Sequence, residues 1–221
     1  FGGGTIPNKE WSFDTQTSAG LQQLPRQPAC LHLIDTDPES GRASITGLHD
    51  LTERVGIRVR GSFSSTWNPK PYSLETWDEY DADKNTTPLG LPGESDWILY
   101  YPHPLYDRQL IANTFSWELS RLTGRYGTRF RFVDTFINQD GGDLTPADRV
   151  GVYAFAEKVT RDDDRIEFEP LSEDGSTGGW LLSINRMDPI PVGGFPAENG
   201  ALTPQFFHTA GPDRILQTPP N

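Results

Sequence analysis

The residues with the clearest chemical potential lie between positions 60 and 70. Arg60 and Lys70 flank the run Gly61-Ser-Phe-Ser-Ser-Thr66. Two fixed cations around a small-residue turn that offers backbone N–H groups and four hydroxyls are what a phosphate group needs, because phosphate binding demands close backbone approach, donors and positive charge. The same residues also fit a serine-rich hairpin turn, and composition alone does not separate the two readings. Downstream, Glu118 lies in a helical pattern and reads either as an acid able to pair with Lys70 or as a solvated helix acid. Glu157 and Lys158 follow an apolar run. They read either as part of a ligand cleft or as a strand end with a solvated turn.

Other chemistries are poorly supported. His32, His49, His103 and His208 are scattered and have no metal-ligand spacing. The acidic groups Asn138-x-Asp140-Gly-x-Asp143 and Asp162-Asp163-Asp164 lack the twelve-position calcium loop with its terminal Glu, and read as solvated turns. No G-x-S-x-G nucleophile elbow occurs. Cys30 is the single cysteine, so no intrachain disulfide forms, and it is expected as a small buried apolar residue. The chain carries 19 basic and 31 acidic residues, a net charge of −12, which argues against nucleic acid or an anionic membrane surface as partner. The charge fits an extracellular or cell-surface setting. No run approaches the roughly 20 apolar residues of a membrane span. The chain begins with Phe1, and a processed, truncated or excised start is the expectation.

The positioning elements follow from periodicity. At 221 residues the chain has room for one large domain or two small ones, with a real core supplied by 12 Phe, 7 Tyr and 6 Trp. Its 22 Gly and 19 Pro imply many turns and long connections. Residues 1–28 read as an arm that packs through Trp11 and Phe13. Cys30–Thr36 alternates like a strand and Asp37–Gly41 like a turn. Val55, Ile57 and Val59 alternate with Gly56, Arg58 and Arg60, a half-buried strand; Tyr72–Trp77 is expected to pair with it. Asp96–Tyr101 is a third strand. Asp107–Leu122 is the best helix, with Leu110, Ile111, Phe115, Leu119 and Leu122 on one face, Asp107 as cap and Gly124 as terminator. Strands follow at Phe130–Ile137, Gly151–Thr160 and Gly179–Arg186. The expected fold class is α+β, a mostly antiparallel sheet with one main helix and long Gly/Pro-rich loops. Its order matches a protein-kinase amino-terminal lobe, with a loop over the phosphates, a strand lysine, a helix and further strands.

Five separated segments also carry a family resemblance. They are Arg60–Trp77 (RGSFSSTWNPKPYSLETW), Leu89–Pro92, Asp96–Tyr100, Gly151–Ile166 and Gly178–Asn185. Together and in order they resemble the spore-coat protein H (CotH) kinase family, in the manner of large secreted bacterial members. The resemblance implies a kinase-like lobe over residues 29–186, with 187–221 as a Pro/Gly-rich tail towards a carboxy-terminal lobe. It implies use of ATP and Mg to phosphorylate serine or threonine on coat or surface proteins. It assigns nucleotide contacts to Arg60, Ser64, Ser65, Lys70, Glu118, Glu157 and Lys158, and makes Glu157–Lys158 the hinge-like connector beside the nucleotide. Where the family carries Arg-Asn this helix has Ala112-Asn113, and Arg108, a turn earlier, is expected to reach along the same face. Arg60, Lys70, Glu118 and Glu157 are thus expected to converge on one cleft.

The family's catalytic and metal-binding aspartates follow the Gly178–Asn185 strand. Met187–Asn221 offers only Asp188 and Asp213, both beside Pro. This chain by itself is therefore not expected to transfer phosphate; either a following segment or partner chain supplies the groups, or the protein is a non-catalytic extracellular structural or adhesion module with the same fold. The apolar strand Trp180–Ile184 is expected to be buried on both faces, leaving an apolar patch for such a segment to cover.

Overall fold

The computed structural model describes residues 26–61, 63–102 and 111–169 continuously, together with Thr5–Pro7, Asp107, Gln109 and a few short pieces at either end of the chain. Two compact units divide the chain: residues 1–10 with 24–159, and residues 11–23 with 160–221.

The first unit is built on a six-stranded antiparallel sheet. Its strands are β3 (Gln27–Leu33), β4 (Leu51–Val59), β5 (Tyr72–Trp77), β6 (Asp96–Tyr100), β7 (Phe130–Phe136) and β8 (Arg149–Glu157), in the spatial order β3-β4-β5-β6-β8-β7. The expected pairing of the second and third strands holds, with Val59 opposite Tyr72 and Val55 opposite Thr76. Side chains alternate across each strand, so one register decides two faces. Val55, Ile57, Val59, Tyr72, Leu74, Trp97, Leu99, Tyr153 and Phe155 share one face and form the core. Trp97 stacks on Phe155 at 5.2 Å and both are fully buried. Burial of each large side chain contributes about 1.5–3 kcal/mol. The loop after β5 adds Leu89 and Leu91 to this core. Leu89 has φ +54°, and its amide donates to the Asp50 carboxylate at 2.7 Å, which ties the loop to the β3–β4 turn.

The other face carries charge and the helix α1 (Ala112–Leu122). The helix begins at Ala112 and not at the expected Asp107, although Asp107 still reaches its start by accepting from the amides of Ile111 and Ala112 at 3.0 Å each; Gly124 with φ +76° ends it as expected. The face by which the helix packs differs from expectation. Ile111, Phe115, Leu119 and Leu122 are exposed, Phe115 by 61% and Leu122 by 76%; Leu110 lies outside the described residues. Thr114 is buried instead, and Trp117 meets Tyr100 and Phe130 edge-on at 5.2 and 5.8 Å. The mixed face wins because its aromatic ring finds two ring partners on the sheet, while Asn113 donates to the Tyr100 hydroxyl at 2.6 Å. Gly127 permits the approach, since a Cβ there would lie 2.2 Å from the Trp117 carbonyl oxygen.

Cys30 is a second correction: it is exposed. On β3, the edge strand, Ala29, Leu31 and Leu33 take the inward positions, and alternation turns Cys30 outward. The acidic turns are as expected. Asn138 and Asp140 side chains bond the amides of Gly141 and Gly142, and Asp162 accepts from the Asp164 amide.

In the second unit, β1 (Trp11–Ser12) pairs with β2 (Gln22–Gln23), and β9 (Leu181–Ile184) with β10 (Pro204–Phe207), both antiparallel. The side chains of Trp11, Phe13 and Trp180–Ile184 lie outside the described residues, and with them the expected apolar patch.

Candidate functional site

β4 ends at Val59, and the Arg60 amide closes the ladder on the Pro71 carbonyl at 3.0 Å. Gly61 then turns the chain with φ +89°. A side chain there would be strained, and its Cβ would stand 1.8 Å from Ser64 Oγ, so the serine hydroxyl nests where only glycine leaves room. Phe63–Thr66 forms a short 3-10 turn. Lys70 closes the loop from the other side: its ammonium donates to the Ser65 carbonyl at 2.7 Å, while the Tyr153 hydroxyl holds the Lys70 carbonyl at 2.9 Å.

Arg60 is the unusual charge of this corner. Burial depresses its pKa below the ordinary arginine value, offset in part by Tyr100, yet a guanidinium remains protonated. No described carboxylate forms an ion pair with it. A desolvated cation without a counter-charge is costly, and an anion removes that cost. Tyr100 itself has its pKa raised by burial, which keeps its hydroxyl a neutral donor.

Farther along the same sheet face stands a closed ionic network. Arg26 Nε contacts Glu75 at 2.7 Å, its other nitrogens reach Ser73 at 2.9 Å and Asp96 at 3.3 Å, and Lys158 pairs with Asp96 at 2.6 Å. Burial raises the Glu75 pKa, with Asp96 and Asp83 adding to the rise; Arg26 and the Trp77 indole N–H oppose it.

The expected four-residue convergence does not occur. Glu118 pairs with Arg121 on its own helix and not with Lys70. That helix lies over Tyr100 and Phe130. The Lys70 ammonium is turned to the backbone of its own loop. Glu157 is fully buried on the core side of the sheet, where it accepts from Arg129 Nε at 2.6 Å, the Arg129 amide at 2.9 Å and the Tyr126 hydroxyl at 3.2 Å. By register Arg60 is level with Pro71, Tyr100 and Ala154, so Glu157 stands three residues farther along, about 10 Å at the strand rise. What does close on itself is the loop of Gly61, Ser64, Ser65 and Lys70, while the Arg60 side chain that precedes it is set by Tyr100. Arg108 lies outside the described residues.

Sequence reasoning missed Tyr100, Asn113 and Arg26, whose partners are distant in the chain. It also read the histidines as scattered, whereas His32 and His49 meet, with Nδ1 atoms 3.2 Å apart. Pairing of β3 with β4 creates that contact and no local pattern reports it.

A family model described as CotH kinase protein matches residues 57–185, more than half of the chain and all of the Arg60–Lys70 corner. No curated protein and no solved structure matches.

Proposed function

This chain belongs to the CotH kinase protein family, and on that premise we propose that it is the nucleotide-binding portion of an atypical kinase. Its substrates in this reading are serine or threonine hydroxyls of extracellular, surface or coat proteins, and its setting is outside the cell. The observation that carries the reading is Arg60, a half-buried arginine with no ion pair to a described carboxylate, next in sequence to the Gly61 turn. Arg60 neutralises phosphate charge. Ser64 and Ser65 supply hydroxyl donors. Lys70 acts through the backbone, holding Ser65 in place for the loop to close. Glu157 and Lys158 brace the far end of β8 through Arg129 and Asp96. ATP when bound supplies the transferable phosphoryl group.

Magnesium, which the family resemblance implies, finds no ligand set among the described residues. Among the described residues no three carboxylate, His or Cys side chains converge, and both Asp107 oxygens are engaged by the helix amides.

A second reading, a non-catalytic extracellular module, is favoured by one observation: the lysine–glutamate pair of kinases is replaced by Lys70–Ser65 and Glu118–Arg121 contacts. Calorimetry decides between them. The kinase reading expects Mg·ATP to bind the unaltered chain and Arg60→Met to abolish binding while circular dichroism stays unchanged. No binding by the unaltered chain defeats it in favour of the module, and saturable binding that survives Arg60→Met takes the phosphate role away from Arg60.

A further inference from the structure

We propose that His32 and His49 form a binding site for a divalent late transition metal, with zinc as the reference ion. The site lies outside the family match and away from the phosphate corner. His32 sits on β3 directly opposite Thr52 of β4, and His49 ends the connecting turn. The backbone on both sides is fixed: the Asp50 amide bonds the Leu33 carbonyl at 2.8 Å, and the Asp50 carboxylate holds Leu89. Both rings are exposed and therefore accessible to an ion from solvent.

Three polar atoms meet there. The two Nδ1 atoms are 3.2 Å apart, and the Thr52 hydroxyl is 3.1 Å from one and 2.9 Å from the other. On the far side of His32, its Nε2 lies 3.4 Å from Cys30 Sγ. When Nε2–H is the donor to sulfur, His32 is in the tautomer that leaves an Nδ1 lone pair facing His49, the form that a metal selects. Second atoms of ligating histidines are commonly oriented in this way. A metal accepts both lone pairs at once. Zinc–nitrogen bonds of about 2.0–2.1 Å in tetrahedral geometry place two ligand nitrogens roughly 3.3 Å apart, close to the separation found.

Imidazole donors suit zinc, copper and nickel and not magnesium or calcium. Among the described residues no third His, Cys, Asp or Glu completes a ligand set. The site thus has two protein ligands and open positions for water or an outside ligand, with Thr52 as hydrogen-bond partner to bound water. Cys30 positions His32 and is not itself a ligand.

Calorimetric titration of the untagged chain with zinc chloride tests this, supported by the electron paramagnetic resonance of added Cu²⁺. The expected result is one saturable zinc site and imidazole-nitrogen hyperfine structure on copper. His32→Ala and His49→Ala each weaken zinc binding about tenfold or more, and Cys30→Ser weakens it less, by at most about tenfold. Magnesium chloride gives no signal, and Arg60→Met leaves zinc binding intact, which separates this site from the nucleotide reading. All three positions are exposed, so the variants are expected to fold. The proposal is overturned by absence of saturable zinc binding, by binding that persists in the double His32→Ala, His49→Ala variant, or by binding lost with Cys30→Ser alone.

Discussion

Arg60 and Glu75 lie on one sheet face and meet burial in opposite ways. Glu75 has Arg26 as a partner at 2.7 Å, yet desolvation still raises its pKa above the ordinary 4.5. A carboxyl whose folded-state pKa is raised binds its proton more tightly when folded. Its contribution is present in full below pH 4.5 and is lost as pH rises through the raised folded value. The stability difference between the wild type and Glu75→Gln, from urea titrations across pH 4–7, should therefore shift in favour of the glutamine variant as pH rises. A flat difference would show that Arg26 fully compensates burial. Gly61 makes the second expectation at this scale. Gly61→Ala meets both a positive φ and the Ser64 hydroxyl, so it should destabilise by about 1–3 kcal/mol and weaken nucleotide binding by displacing Ser64. Thermal unfolding with parallel ATP calorimetry measures both.

At the scale of elements, α1 is held by one ring. Trp117→Ala removes the contacts to Tyr100 and Phe130 and should cost about 2–3 kcal/mol, a little below the usual value for a fully buried tryptophan. Phe115→Ser, on the exposed stripe, should change stability by less than about 0.5 kcal/mol. Reversal of that order would mean that the stripe is the packed face. The β4–β5 pair makes a similar point. Gly56 lies under the Trp77 ring, where an added Cβ would come within 2.1 Å of Cζ2 and 2.8 Å of Arg26 Cδ. Gly56→Ala should therefore displace Trp77, shift its fluorescence and lower stability by about 1–3 kcal/mol.

For the molecule as a whole the charge is −12, and among the described residues some of the exposed cations are paired: Arg131 with Asp35, Arg149 with Asp134, Lys84 with Glu53. Excess negative charge repels itself in the compact state, and salt screens it. Raising sodium chloride from about 0.01 to about 0.15 M should raise the melting temperature, because the Debye length falls from roughly 30 to 8 Å. A fall would show that the surface ion pairs outweigh the net repulsion. No described helix is long and apolar enough to cross a membrane.

The strands were legible in the sequence because alternation is a local signal. Val55, Ile57 and Val59 fall on the core face where the period-2 pattern puts them, and the Asp107 contact and Gly124 stop of α1 follow from their own backbone chemistry. In the corner from Arg60 to Lys70 the turn at Gly61 was legible for the same reason, but the Ser65–Lys70 contact, in place of the expected Lys70–Glu118 pair, was not. Whatever depends on partners distant in the chain was decided only by tertiary structure. The helix turned its mixed face inward because Tyr100 and Phe130 were waiting on the sheet. Glu157 went to Arg129 across the β7–β8 pair, and Cys30 was turned out by its place on an edge strand. His32 met His49 only once β3 had folded back on β4. Periodicity fixes which face a residue shares with its neighbours; what lies opposite that face depends on which strands and helices pack together, and that choice is made by the whole chain.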